Sequence, residues 1–175
     1  MNLASPSIAS RGARATLSAV ALLLLVFGGA VSGGAAQASH YRLPADGFVS
    51  DEELEALAKA GVHTTLDLLQ RAAKVTDREA LARKTGLPLT RLTTLACQVD
   101  LLRVKGLGPS MVRLLQTAGI RHTRDLRATE PDGLLERLRA ANSIHHIAPV
   151  LPRTEILAEW IGQAKRLEWL LEGTQ

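Results

Sequence analysis

Aromatic residues are scarce. Two Trp, one Tyr and two Phe make up 3% of the 175 residues. Leu and Ala must therefore fill the core, which favours helices over sheets. Cysteine occurs once, at Cys97, and one cysteine forms no intrachain disulfide. In an exported chain it is a buried thiol or an intermolecular bridge, and its apolar helical surroundings favour the buried, inert thiol. No segment alternates apolar and polar residues as a half-buried strand does. Hydrolase elbow, zinc-protease helix and phosphate-loop signatures are all missing, and no metal-ligand pattern surrounds Cys97. His145 and His146 are adjacent, so their side chains diverge and read as surface histidines. The chain is expected to be non-enzymatic, with no catalytic residue, metal site or cofactor.

The front of the chain is set apart. Arg11 and Arg14 precede an uncharged run, 15–39, whose apolar centre spans Ala19 to Phe27. Ala36-Gln37-Ala38 has the small-x-small form of a signal-peptidase site. Residues 1–38 read as a signal peptide, which makes the mature protein periplasmic or secreted. The alternative is an uncleaved inner-membrane anchor formed by residues 15–38, the one case that brings a membrane in. Without Arg11 and Arg14, the formal net charge of +4 falls to +2, a weak argument for a nucleic-acid partner. Charge placement says more. Arg103, Lys105, Arg113, Arg121, Arg124 and Arg127 face only Asp125 in the same stretch, while residues 46–55 hold five acids and no base.

The mature chain reads as helices separated by turns. Residues 39–49 form a leader, with Pro44 and Gly47. Ser50 and Glu53 form a capping box, and Gly61 ends that helix. Thr64 caps a second helix, and Thr76 with Glu79 forms a further capping box before a helix that stops at Gly86. Pro88 opens a longer helix with a stripe of Leu89, Leu92, Leu95, Ala96, Val99 and Leu102. Gly119 ends the helix after it, and Thr123 caps a short turn around Leu126. Pro131 opens a helix as far as Ala141, 142–151 reads as loop, and Pro152 opens a last helix running through Trp160 and Leu167 to Leu171.

Between the two halves lies Leu101 to Leu115. Gly106 fits the left-handed C′ position of the preceding helix, Leu107 plugs the space between helices, and Gly108 admits a close backbone approach. Pro109 suits the first helical position. The free amides from Ser110 through Met111 to Val112, flanked by Arg103, Lys105 and Arg113, make a helix N-terminus suited to a phosphate. This pattern resembles the helix-hairpin-helix motif, apolar-x-Gly-apolar-Gly followed by an apolar helix. The resemblance implies a phosphate or nucleic-acid contact at Arg103, Lys105, Gly106, Gly108, Ser110, Met111 and Arg113. The glycosylases that carry the motif place a catalytic Lys where Ser110 stands, so that chemistry is absent.

An internal repeat runs through the chain. Ala60-Gly61-Val62-His63-Thr64-Thr65-Leu66-Asp67-Leu68 matches Ala118-Gly119-Ile120-Arg121-His122-Thr123-Arg124-Asp125-Leu126, and Leu87-Pro88-x-Thr90 matches Leu151-Pro152-x-Thr154. These elements, with the hairpin between them, resemble the bacterial domain of unknown function family 4332, which is related to the helix-hairpin-helix superfamily. The resemblance covers roughly Asp46 to Leu171. It implies an all-α domain over 50–172, in which two helix-hairpin-helix-like repeats, 50–103 and 104–172, share one compact core. It implies no activity. The first hairpin departs from the pattern, with Gly47-Phe48-Val49-Ser50 followed by acids that repel an anion. The expected function is an exported binding or scaffold domain with a protein partner, the alternative being weak, sequence-independent binding of nucleic acid or another polyanion.

Overall fold

The computed structural model describes residues 42–43 and 48–174. The expected signal peptide and most of the leader lie outside the described residues. Eight α-helices follow one another: α1 (Asp51–Lys59), α2 (Thr65–Ala72), α3 (Val75–Thr85), α4 (Leu89–Leu101), α5 (Pro109–Thr117), α6 (Thr123–Arg127), α7 (Pro131–His145) and α8 (Thr154–Arg166). Among the described residues the only β pairing is an isolated bridge between Arg42 and Thr64, and no helix is long and apolar enough to cross a membrane. The all-α expectation holds.

The scarcity of aromatics is met by aliphatic packing. Leu57, Leu68, Leu92, Leu95, Leu101, Leu114, Leu115, Leu126 and Leu138 are fully enclosed in one continuous core. The second half of α4 and the segment after it, from Leu95 to Val104, is buried without a break. It is the axis of the fold. α2 and α3 pack on α4 from the first half of the chain, α5 and α6 from the second, and α8 packs on both α6 and α7. Leu43, Phe48 and Val49, assigned by sequence to the leader, are also buried in this core.

Two turns repeat their hydrogen bonds at an offset of 58 residues. Val62 donates to the Leu57 carbonyl and Gly61 to Ala58, as Ile120 donates to Leu115 and Gly119 to Gln116. Gly61 and Gly119 have φ of 80° and 82°, which glycine adopts without steric cost. In the next turn Asp67 Oδ2 accepts from the His63 amide and Asp125 Oδ2 from the Arg121 amide. The caps sit at the same register. Thr64 accepts from the Asp67 amide through its hydroxyl, and His122 accepts from the Asp125 amide through Nδ1.

Several local expectations are corrected. α3 starts at Val75, with Lys74 as an N-cap that gives no side-chain bond. Thr76 therefore lies inside the helix and makes no capping box with Glu79. The start is set by Arg78, a buried residue whose guanidinium takes the Ala72 and Ala73 carbonyls. His122, not Thr123, caps α6, because the Thr123 amide and hydroxyl both turn inward to Asp100. α7 continues through Asn142 to His145 rather than stopping at Ala141. The Asn142 side chain then bonds both the amide and the carbonyl of Ala148, closing the loop beneath it. α8 ends at Arg166, with Leu167 extended. Leu171 is buried from a tail, not from the helix.

Candidate functional site

The hairpin differs from its expected form at both ends. α4 stops at Leu101, with Leu102 as its cap. Arg103 and Val104 then fold back, their amides donating to the Asp100 and Leu101 carbonyls. Gly106 is therefore not the C′ residue of α4. It is the third residue of a β-turn closed by the Leu107 amide on the Val104 carbonyl at 3.2 Å, with φ of 89°. A positive φ at that position is the mark of a type II turn. A methyl group on Gly106 would stand 3.2 Å from Trp160 Nε1. Leu107 is buried between the helices, as expected. Gly108 caps α5 with an ordinary φ of −96° and open space where a Cβ would lie, so close approach is not its role.

The expected phosphate-binding residues separate. Arg103, only 9% exposed, forms a 2.7 Å ion pair with Asp100 and donates to the Glu168 carbonyl. It is removed from the outer surface because the fully enclosed Asp100 needs a cation beside it. Lys105 is exposed, and its amide and carbonyl are both held by the Gln163 side chain. Ser110 is exposed, and Met111 and Arg113 are half-buried. The Val112 amide is spent inside the helix on Gly108, which leaves Ser110 and Met111 as the outward amides. No side chain caps this end of α5.

A different group of residues comes together on α6. Asp100 accepts 2.6 and 2.9 Å bonds from the Thr123 hydroxyl and amide, which docks the helix start against α4. His122 is buried, and because its Nδ1 accepts an amide, its Nε2 donates to the Thr174 carbonyl at 2.8 Å. The fixed imidazole meets the Trp169 ring edge-on, with centroids 5.0 Å apart at 78°. Arg124 stands over the indole, its Cζ 5.7 Å from the ring centroid. Arg124, Arg127, Ala128 and Trp169 border an open cleft of about 550 Å3. Next to it, Arg121 pairs with Asp125 at 3.3 Å.

The sequence places these arginines in one basic stretch with the hairpin, and Trp169 is not among its candidate site residues. The spacing of Arg124 and Arg127 is the available signal, since residues three apart share a helix face. Nothing local pointed to Trp169, which arrives on the folded-back tail.

The remaining candidates are quieter. Cys97 is buried, and desolvation, reinforced by the Asp100 charge, pushes its thiol up to about 11. It is a neutral thiol at physiological pH, without the thiolate that nucleophilic chemistry needs. His145 and His146 are exposed, and no group of metal-ligating side chains forms among the described residues. Ile144 and Val150 are 72% and 77% exposed beside them.

No curated protein matches the chain, and no solved structure does. The family model described as "Domain of unknown function (DUF4332)" matches residues 48–167, from the buried Phe48 through the end of α8. The chain belongs to that family.

Proposed function

We propose that this chain is a non-enzymatic helical binding domain that holds an anionic partner on the outer face of α6. The observation that carries the reading is the juxtaposition of Arg124 and Arg127 with the half-buried Trp169 around one cleft. Two cations one turn apart, with no carboxylate among the residues bordering that cleft, attract an anion. In the same reading the domain consists of two helix-hairpin-helix-like repeats on one core, supported by the equivalent bonds at Gly61 and Gly119. The test is elution from immobilised heparin. Arg124→Glu/Arg127→Glu should elute at clearly lower salt than wild type. Arg83→Glu/Arg139→Glu changes net charge equally at exposed positions elsewhere and should elute later than the α6 variant. Equal elution of the two variants would reduce the effect to overall charge and sink the reading.

The uncapped start of α5 supports a second reading, a backbone-phosphate contact through the Ser110 and Met111 amides with Lys105 and Arg113. Lys105→Ala/Arg113→Ala should then reduce the salt dependence of DNA binding by roughly two contacts. An unchanged slope leaves the hairpin as a joint. Export belongs to the proposal on the strength of residues 1–38 alone. N-terminal sequencing of the mature protein should begin at Ser39, and a membrane-retained product beginning at Met1 would make residues 15–38 an anchor instead.

A further inference from the structure

The cleft on α6 is more specific than a basic patch. The indole of Trp169 borders it, and the indole is backed by an imidazole that cannot rotate. His122 is held at both ring nitrogens, by the Asp125 amide and the Thr174 carbonyl. Its ring meets Trp169 edge-on. Arg124 lies over the same indole, so a base stacks either on the guanidinium or in its place on the ring. Arg127 follows one turn later, and it and Ala128 border the same cleft.

We infer that this cleft is a stacking site for single-stranded nucleic acid, a base lying on Trp169 and the flanking phosphates held by Arg124 and Arg127. The inference rests on the anionic-partner reading above and names the class of partner. Each part of the cleft has a use in it. Every base has an aromatic face, so stacking on an indole is tolerant of sequence. Guanidinium forks match phosphate oxygens and also stack on bases. An acidic peptide would engage the two arginines and make no use of the indole as a stacking surface. A duplex offers the phosphates but keeps its bases stacked inside. The immobilised His122 means that the platform is in place before a ligand arrives, which lowers the ordering cost of binding.

The experiment is a titration of the mature chain with an oligothymidylate of about 12 nucleotides, within the site sizes of single-strand binders. It is followed by intrinsic tryptophan fluorescence and by the anisotropy of a labelled copy. A duplex of the same length and polyglutamate are run in parallel. The single strand should quench the fluorescence and bind more tightly than either competitor. Trp169→Leu should weaken its binding by roughly tenfold, a typical loss for one stacked base, and should abolish the quench that Trp160 does not supply. Arg124→Glu/Arg127→Glu should weaken it further and lower the log–log salt slope by about 1.4, two contacts on a single strand. Circular dichroism melts confirm that each variant is folded. Should Trp169→Leu unfold the chain, Trp169→Phe keeps a stacking ring and should retain binding. Equal binding of the single strand and polyglutamate, lost in the arginine variant but with no quench, would overturn the nucleic-acid inference and leave the anionic face standing. Binding to none of the three, with no retention on heparin, would remove both.

Discussion

Asp100 shows how one side chain decides the surface around it. A fully buried carboxylate is costly unless paired and hydrogen-bonded. Here it takes Arg103 on one oxygen and the Thr123 amide and hydroxyl on the other. The arginine it recruits is one that sequence places on the exposed hairpin. Glu53 works on a smaller scale. Its carboxylate closes the Ser50 capping box and accepts two bonds from Arg91, at 2.6 and 2.8 Å. Arg91 and the Ser50 amide hold its pKa below the usual glutamate value. A depressed carboxylate pKa contributes stability above the unfolded value of about 4.3, and that stability is lost as pH falls through the folded pKa. Glu53→Gln should therefore unfold at a lower denaturant midpoint than wild type at pH 7, and the gap should narrow below about pH 4. A gap that stays constant across that range would show that the pair contributes nothing through charge.

At the scale of the element, the two hairpin glycines separate. Gly106 has φ of 89° and faces Trp160 Nε1, while Gly108 has an ordinary φ and open space. Gly106→Ala should cost roughly 1–2 kcal/mol from the left-handed backbone alone, and more if the indole must move. Gly108→Ala should cost less, up to about 1 kcal/mol, because the backbone and the space both admit a Cβ and only glycine's advantage over alanine at an N-cap is lost. Urea titrations of the two variants measure the difference, and equal losses would contradict the turn geometry. The underside of that turn is α8. Trp160 is 6% exposed in the core, and Trp160→Ala should cost about 3–5 kcal/mol, as truncation of a large core aromatic does. An unchanged midpoint would detach α8 from the core.

The whole molecule is closed by its tail. After Arg166 the chain leaves the helix and crosses three separate parts of the fold. The Glu168 carbonyl accepts from Arg103, the Glu172 carbonyl from Arg78, and the Thr174 carbonyl from His122. The Glu172 amide bonds Ala73, and Leu171 is fully enclosed. Gly173 has φ of 62°, and a Cβ there would stand 2.8 Å from Val75 Cγ2, so the strap lies hard against α3. Ending the chain after Leu167 should cost roughly 3 kcal/mol or more. It exposes the pocket of one Leu and leaves buried donors without acceptors. The truncated chain should melt earlier and bind less oligothymidylate, because Trp169 leaves with the tail. A melt like that of wild type would mean that the strap carries no load.

Residues close in sequence determined the local structure well. Ser50 with Glu53, Thr64 with Asp67, the left-handed glycines 61, 86 and 119, and the 3.6-residue stripes of α4 and α8 fixed most helix ends and the all-α architecture. Each rests on atoms a few residues apart, so the sequence alone contains the information. The misreadings share the opposite cause. Leu167 and Leu171 keep helical spacing, yet buried donors on Arg78, Arg103 and His122 draw the chain out of the helix to reach its carbonyls. Thr76 looks like a cap, but Arg78 starts the helix earlier by satisfying the carbonyls before it. Arg103 belongs to the basic stretch in sequence and to Asp100 in space. The candidate cleft itself joins α6 to Trp169, residues brought together only when the tail folds back over the core. Local hydrogen bonding is legible in a linear chain, whereas the pairing of buried polar groups depends on which distant segments meet, and the tertiary structure alone decides that.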